Sequence, residues 1–333
     1  MNLLVQNEVM KLLLKKKMQL IAILLLVFIG LMSYGQKYAY DKNVARIEGL
    51  AEGGSYDWKS LTTQRLSDLK RRLESPNIPE NVVSTLEIEM QQLTYFVEND
   101  INPITPSAAK FSVGFVEQGI MLFIPLLMGI LAADLVSSEF STKTIKMLLT
   151  RAVPRWKILL SKYIALLMMS TLVVFMIGIL STLISYVFFG QWGFNEPVAT
   201  GFSLREGQLN TDAVILVTRF KYAVLVYSLG WFVSVVIATI TFLISVLVKS
   251  SASAISLLMA ALIGGQFLQF FLSEWVAVKY FFVTNLDLTR YLTGSYQPIE
   301  GMSLSFSIVI LSLWALIFLG ISFLVFNKKD VLV

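Results

Sequence analysis

The residue types that support most catalytic and metal-binding chemistry are missing from this chain. It has 333 residues, of which none is cysteine and none is histidine. This excludes thiol nucleophiles, imidazole bases and zinc sites built from thiolate or imidazole ligands. The nearest approach to a phosphate-binding loop, Gly53-Gly54-Ser-Tyr-Asp-Trp58-Lys59-Ser60, has tryptophan where the loop needs glycine before its lysine. The sequence therefore predicts a protein that is not an enzyme and binds no metal or cofactor itself.

Polar side chains inside apolar runs offer a different chemistry, because a polar group in a membrane usually serves a path or a contact. Glu117, Gln266 and Gln269 lie in such runs. We predict them as candidates for a translocation path. Two alternatives stay open: Glu117 could reach the lipid headgroups, and the two glutamines, which share one helix face, could hydrogen-bond a neighbouring helix.

The densest chemical signal is a basic segment, Asp134–Tyr163, between two long apolar runs. It carries Lys143, Lys146, Arg151, Arg155, Lys157 and Lys162. Ser141, Ile145, Leu148 and Leu149 share one helical face, which predicts a short amphipathic helix at residues 138–150. Pro154 ends that helix. Such a helix between two membrane spans must present its apolar face to a protein or to lipid headgroups.

This segment resembles a family. Residues Glu139–Arg155, EFSTKTIKMLLTRAVPR, resemble the loop between the second and third spans of type-2 ABC transporter permeases. Lys143 stands where that family usually has glycine, and Ala152 where it often has proline. Further resemblances lie in Asn7-Glu8-x-x-Lys11, in Asn285–Gly294, and in the ending Phe326-Asn-Lys-Lys-Asp330-Val331. Each motif is weak by itself, and their order along the chain makes the joint signal strong.

The resemblance implies a function and partners. The chain would be the bacterial permease subunit of an ATP-driven exporter for an amphipathic peptide, drug or lipid-like compound. It would pair with a second permease copy or a relative, and with a separate ATPase subunit that binds ATP and Mg²⁺. Its other partner would be membrane lipid, with no nucleic acid. The coupling helix at 138–150 would dock on the ATPase through Phe140, Ile145, Leu148 and Leu149, with polar contacts from Glu139, Lys143, Lys146 and Arg151.

Composition makes the chain a multi-span membrane protein. It is 56% hydrophobic and 15% charged, with a mean hydropathy of +0.71. Apolar runs of about 20 residues, the length that crosses a bilayer core, occur six times. We therefore predict an all-α membrane protein with six transmembrane helices at Met18–Tyr34, Val116–Val136, Ile158–Phe189, Tyr222–Val248, Ala252–Leu272 and Leu304–Phe326, and we expect Pro125 to kink the second of them.

Charge predicts the orientation. The N-terminal segment, the Ser137–Lys157 loop, the Lys249 turn and the C-terminal tail are net basic, so the positive-inside rule puts both termini in the cytoplasm of a bacterial cell. Residues 36–110 have nine Lys/Arg against eleven Asp/Glu, a net charge of −2, and belong outside. The predicted plan is an interfacial helix at 1–17, a first span at 18–34, an external helical hairpin at 35–115, and a membrane domain at 116–333.

Two further features belong to this plan. Ala252, Ser256, Ala260 and Gly264 place small residues every four positions on the fifth span, which favours close helix packing within the chain or across a permease dimer. The aromatic segment between spans five and six predicts a pair of re-entrant or interfacial helices, which act as an external gate in the family that it resembles.

A second function class remains open. The chain could be a membrane sensor or scaffold, whose external hairpin binds a ligand and whose cytoplasmic loop docks a signalling protein. An ion-coupled transporter is less favoured, because it would be expected to have carboxylates near mid-membrane and repeated halves, and neither is evident in the sequence.

Overall fold

Long apolar helices make up most of the structure, a computed structural model. It describes residues 1–50, 57–75, 80–142, 144, 153–205, 208–210, 214–272, 275–294, 299 and 301–328. Within these residues, five helices are long and apolar enough to cross a membrane, or six if one bent pair counts as a single span. The prediction of a mostly helical, multi-span membrane protein is therefore confirmed.

The first two helices meet at a tight turn. α1 (Asn2–Leu14) is followed by Lys16, which has a left-handed backbone with φ +57°. α2 (Lys17–Leu50) has 34 residues, about 50 Å of helix, so it is longer than the roughly 30 Å core of a bilayer. Its buried residues Ile21, Leu25 and Ile29 recur every fourth position, which is one stripe of a helix that packs on its neighbours.

The second predicted span is bent and begins earlier than expected. α5 (Ala108–Gly119) and α6 (Phe123–Ala132) meet at 69° across a three-residue break, whereas the sequence predicts a start at Val116. Pro125 lies in the first turn of α6, where its missing N–H removes no helical hydrogen bond. The bend therefore lies just before the proline. α7 (Asp134–Ser141) follows α6 and forms the first part of the basic segment.

The central helix is α9 (Arg219–Leu247), which packs against α5, α6, α7 and α8 (Arg155–Phe189) as well as the last two long helices. Val233, Ile237 and Phe242 on this helix are fully buried. The surrounding long helices are α8 (Arg155–Phe189), α10 (Ser251–Phe271) and α12 (Leu304–Lys328). α10 and α12 are mostly exposed, so their apolar side chains are available to lipid or to another chain.

The connection between α8 and α9 contains short strands, although the sequence pattern predicts none there. β1 (Pro197–Thr200) pairs antiparallel with β4 (Ile215–Thr218), so that Pro197 faces Thr218 and Thr200 faces Ile215. β2 (Ser203–Arg205) pairs antiparallel with β3 (Gln208–Asn210). β4 reads Ile-Leu-Val-Thr, a composition that favours strands, but it is too short to stand out from sequence.

Two helices form the segment between α2 and α5. α3 (Trp58–Leu73) and α4 (Glu80–Glu98) pack against each other. Arg65 pairs with Glu89 at 2.8 Å, while Lys59 pairs with Asp100 at 2.7 Å. Lys59 precedes Arg65 on α3, whereas its partner Asp100 follows Glu89, the partner of Arg65. The two helices therefore run antiparallel. The Pro-rich turn predicted between them lies largely outside the described residues.

The hairpin contacts the segment between α10 and α12. Tyr95 and Phe96 of α4 pack edge-on against Phe202, beside β2. The Gln92 amide donates a hydrogen bond to the Thr293 carbonyl at 2.9 Å.

The segment between α10 and α12 does not form two regular helices in its described part. It forms the 3₁₀ turns Val276–Tyr280 and Val283–Asn285 and a four-residue helix, α11 (Arg290–Thr293). Its apolar residues Leu286 and Leu288 are fully buried.

Candidate functional site: a buried ion-pair cluster

The most unusual group of side chains surrounds a lysine in the first turns of a membrane helix. Lys162 of α8 is only 1% exposed. Its ammonium donates hydrogen bonds to Glu8 Oε2 at 2.9 Å and to Glu139 Oε1 at 2.5 Å. Burying a charge is costly unless it is paired and hydrogen-bonded. Here the pairing is supplied by two carboxylates from two other helices.

Helix geometry brings a fourth residue to this group. Lys11 lies three positions after Glu8, on the same face of α1. Its ammonium is 2.8 Å from Glu8 Oε1 and 3.6 Å from Glu139 Oε1. Glu8, Lys11, Glu139 and Lys162, here called the Lys162 cluster, therefore hold two carboxylates and two ammonium groups, and their formal charges balance.

The electrostatics of the cluster follow from its geometry. Burial alone would raise the pKa of Glu8, but the ammonium groups of Lys162 and Lys11 outweigh it and lower that pKa below its ordinary value. Burial would likewise lower the pKa of Lys11, yet Glu8 and Glu139 raise it. Glu139 Oε2 is buried and accepts no hydrogen bond from the described residues. The cluster thus favours the charged forms of the two α1 residues.

A second ion-pair group extends the junction. Asp134 is the first residue of α7. Its carboxylate forms ion pairs with the ammonium groups of Lys17 at 2.5 Å and of Lys15 at 3.4 Å. The Lys17 ammonium also donates to the Ile130 carbonyl at 2.6 Å, and the Lys15 ammonium to the Ser138 hydroxyl at 3.2 Å. Residues 11–17 are thereby tied to residues 130–139 by several ion pairs and charged hydrogen bonds, a class of bond that is stronger than neutral ones.

Taken together, these contacts join α1, α7 and α8 at one end of the helix bundle. The Arg155 guanidinium, at the start of α8, donates to the Asn327 carbonyl at 3.2 Å, which places the end of α12 at the same side. The ends of α7 and α8 that are fixed here flank residues 142–154, the middle of the basic segment. A force on that segment would reach α8 directly.

The predicted docking residues are only partly described. Glu139 is buried and turned towards Lys162, and Phe140 is half-buried against the main apolar core. The other predicted docking residues lie outside the described residues: Lys143, Ile145, Lys146, Leu148, Leu149 and Arg151.

The predicted path residues lie on different helices. Glu117, at the end of α5, accepts a hydrogen bond from the Tyr222 hydroxyl of α9 at 2.7 Å. Gln266 and Gln269 are half-buried on α10. The small residues of α10 are exposed, namely Ala252, Ser256, Ala260 and Gly264. The face of α10 that packs inward instead carries Ala254, Leu258, Leu262 and Gly265.

Sequence reasoning missed the pairing of Lys162, which it counted only as a basic residue of the cytoplasmic segment. The signal was present, because Lys162 lies inside the predicted third span and Asp134 inside the predicted second one. A charge within a membrane span is expected to have a partner, but the sequence alone does not say which one. In the described part of the chain, no group of three or more acidic residues is placed to hold a metal ion.

Comparisons with known proteins add the family. The chain matches, over residues 83–332, a family described as "Protein of unknown function (DUF2705)". It is 27% identical over 285 residues to "Uncharacterized protein YhcI" of Bacillus subtilis (strain 168), covering 82% of this chain and 84% of that relative. It is 30% identical over 206 residues to "Uncharacterized membrane protein YdbK" of the same organism, covering 61% of this chain and 75% of that relative. The family match spans about three quarters of the sequence, and the chain belongs to the DUF2705 family.

Proposed function

We propose that this chain is the permease subunit of an ATP-driven exporter in the bacterial plasma membrane, with ATP hydrolysis performed by a separate subunit. The observation that carries the proposal is the Lys162 cluster. It ties the end of α7 to α8, and these two helices flank residues 142–154, the middle of the basic segment. A partner that pushed on the basic segment would therefore move membrane helices and not merely a loop.

The mechanism follows from the energetics of the cluster. Separating a buried carboxylate from its ammonium partners leaves an uncompensated charge, which is strongly unfavourable. Glu139 and Lys162 should therefore move together, and α1 should move with them through Glu8. Rigid-body motion of such a unit is one of the common ways in which a protein changes between two arrangements. An ATPase that closes on ATP could drive that motion through the segment at 138–150.

The side of the membrane is proposed from contacts and charge. α1, the start of α8 and the end of α12 lie at one end of the bundle, and the sequence around all three is basic. This supports both termini in the cytoplasm with six spans, counting α5 and α6 as one bent span. The α3–α4 hairpin and the strands would then lie outside the cell.

A second permease copy is supported by α10. Its small residues face away from the rest of the chain, and a Cβ added at Gly264 would have no neighbour within 4 Å. Small exposed residues let two membrane helices approach closely. In this cysteine-free chain, an Ala260→Cys variant should form a disulfide-linked dimer on oxidation, and a Val309→Cys variant on the exposed face of α12 should not.

The decisive experiment is co-purification of the chain from membranes of its native host, with an ABC-type ATPase subunit sought among the co-purified proteins by mass spectrometry. The intact chain is compared with a variant that carries Leu148→Asp and Leu149→Asp, since a charge forced into a docked apolar face costs several kcal/mol when it has no partner. The matched control carries Leu13→Asp and Leu14→Asp, an exposed leucine pair on α1.

We expect the intact chain and the control to retain the ATPase, and the Leu148/Leu149 variant to lose it while still inserting in the membrane. Purification of the intact chain without the ATPase would refute the permease proposal. Equal retention of the ATPase by the Leu148/Leu149 variant would refute the docking role of that pair.

A ligand sensor is the second candidate, and one observation favours it. A cavity of about 440 Å³ lies between the outer part of α2 and the α3–α4 hairpin. Its wall includes Arg46, Arg65, Asp68 and Glu89, so it offers charges of both signs. Two results together would support the sensor function: binding of a small zwitterionic molecule in this cavity, and co-purification of the chain with a kinase or regulator instead of an ATPase.

A further inference from the structure

A deep apolar cleft lies between α5, α8 and α9, away from the Lys162 cluster. Its volume is about 750 Å³. Phe175 and Ile179 of α8 form one side, Val224 and Trp231 of α9 form the other, and Ser112 of α5 is part of the lining. None of the residues that line the cleft is charged. This excludes an ionic ligand group from its interior.

The mouth of the cleft opens on the lipid-facing surface. Phe175, Ile179, Val224 and Trp231 are 65%, 57%, 51% and 43% exposed, and all four lie on helices apolar enough to cross a membrane. Exposed apolar side chains in a spanning segment face hydrocarbon. The opening of the cleft is therefore in contact with acyl chains of the bilayer.

The hydroxyl groups in the cleft already have partners. Ser112 is 2.7 Å from the Ser181 hydroxyl and 2.7 Å from the Tyr227 hydroxyl, and Thr182 donates to Ser112 at 3.1 Å. The Trp231 indole donates to the Thr171 hydroxyl at 2.9 Å. Because these polar atoms are satisfied within the protein, a hydrocarbon chain can cover them without leaving a donor or acceptor unpaired.

We propose that this cleft binds one acyl chain of a membrane phospholipid. A void of this size without contents would forfeit the dispersion contacts of its lining, and the hydrocarbon of the bilayer is adjacent to its mouth. Gly178 lines the cleft and leaves it deep, since this position has no side chain. The proposal concerns binding and does not depend on transport or on an ATPase.

The test is photolabelling of the full-length chain in vesicles of phosphatidylcholine that carries a diazirine in one acyl chain. Labelled residues are mapped by peptide mass spectrometry. We expect Phe175, Ile179 and Val224 to carry several-fold more label than Val309 and Leu316 of α12, which have a similar exposure of 56% and 66%. Bulk lipid alone would label both sets equally, and that result would overturn the proposal.

A matched pair of glycine variants tests the site itself. Gly178→Phe fills the cleft, although its new Cβ would lie 3.3 Å from the Tyr227 ring, which must shift slightly. Gly320→Phe adds the same ring on α12, where no atom lies within 4 Å of a new Cβ. Label at Ile179 and Val224 should fall several-fold in the first variant and stay unchanged in the second.

A further variant covers the case in which Gly178→Phe does not fold. Ala223→Phe fills the cleft from α9, and it should lower the label in the same way. Unchanged label in a folded cleft-filling variant would overturn the proposal. So would a Phe175→Cys variant that forms a covalent dimer on oxidation while the cleft takes up little label, because a second copy of this chain would then occupy the cleft.

Discussion

Replacing Lys162 by methionine tests whether the Lys162 cluster holds its end of the helix bundle together. Methionine keeps a long, unbranched side chain in the space and removes the charge. Two carboxylates bind the Lys162 ammonium, Glu8 at 2.9 Å and Glu139 at 2.5 Å. After the substitution, the ammonium left to them among the described residues is that of Lys11. That lysine side chain is 40% exposed, so it compensates them less well.

The expected magnitude follows from the charge that is left behind. The intact cluster is neutral, and Lys162→Met leaves it with a net charge of −1 at a site where the Glu8 and Glu139 side chains are only 8% and 10% exposed. Removing one partner of a buried ion pair typically destabilises a protein by about 3–5 kcal/mol. We expect a loss of that order in the free energy of unfolding.

The assay is equilibrium unfolding of the purified chain in mixed micelles, with increasing SDS, followed by circular dichroism. The control is Lys157→Met on the same helix. Lys157 is exposed, and a surface substitution of this kind changes stability by about 0.5 kcal/mol or less. Adding Glu139→Gln to Lys162→Met restores neutrality and should recover most of the lost stability.

Two results would refute the reasoning. If Lys162→Met cost no more than Lys157→Met, the cluster would contribute nothing to the stability of the bundle. If Glu139→Gln added to the loss instead of offsetting it, the two residues would not be coupled through charge, because coupled neighbours depart from additivity.

Other predictions concern pH and the backbone. The lowered pKa of Glu8 means that its contribution to the free energy of unfolding is complete above pH 4.5, the ordinary pKa, and is lost as the pH falls through the lower folded-state pKa. Glu8→Gln should therefore weaken the loss of stability on acidification in unfolding curves taken from pH 3 to 6. An unchanged pH dependence would contradict this prediction. Lys16→Gly should relieve about 1 kcal/mol of strain from the left-handed backbone and so raise the thermal midpoint of unfolding in detergent. A lower midpoint would argue against this strain. Gly294→Ala should lower the thermal midpoint more than Gly301→Ala. Both glycines have positive φ, but only at Gly294 would the new Cβ lie 2.2 Å from the Phe202 carbonyl oxygen. Equal decreases would show that the backbone at Phe202 moves to accommodate the methyl group.

The class of the protein could be predicted from sequence because hydropathy and helical periodicity are local properties. The apolar runs predict the bounds of α8, α9, α10 and α12 to within three residues, whereas α2 continues 16 residues past the predicted end at Tyr34. A helix is also present at Asn2–Leu14, within the segment 1–17 for which a helix is predicted. The break between α5 and α6 could be predicted only in part, because Pro125 indicates a kink but does not give its angle of 69°.

The pairing of charges was decided by the tertiary structure alone. Glu8 and Lys162 are 154 positions apart, and the sequence suggests a buried charge at Lys162 without naming its partners. The apolar cleft has the same origin, since its walls come from three helices that are distant along the chain. The sequence by itself determined which segments enter the membrane, because transfer from water depends on each segment's own side chains. Only packing decided which side chains meet, because that depends on how the helices are placed against one another.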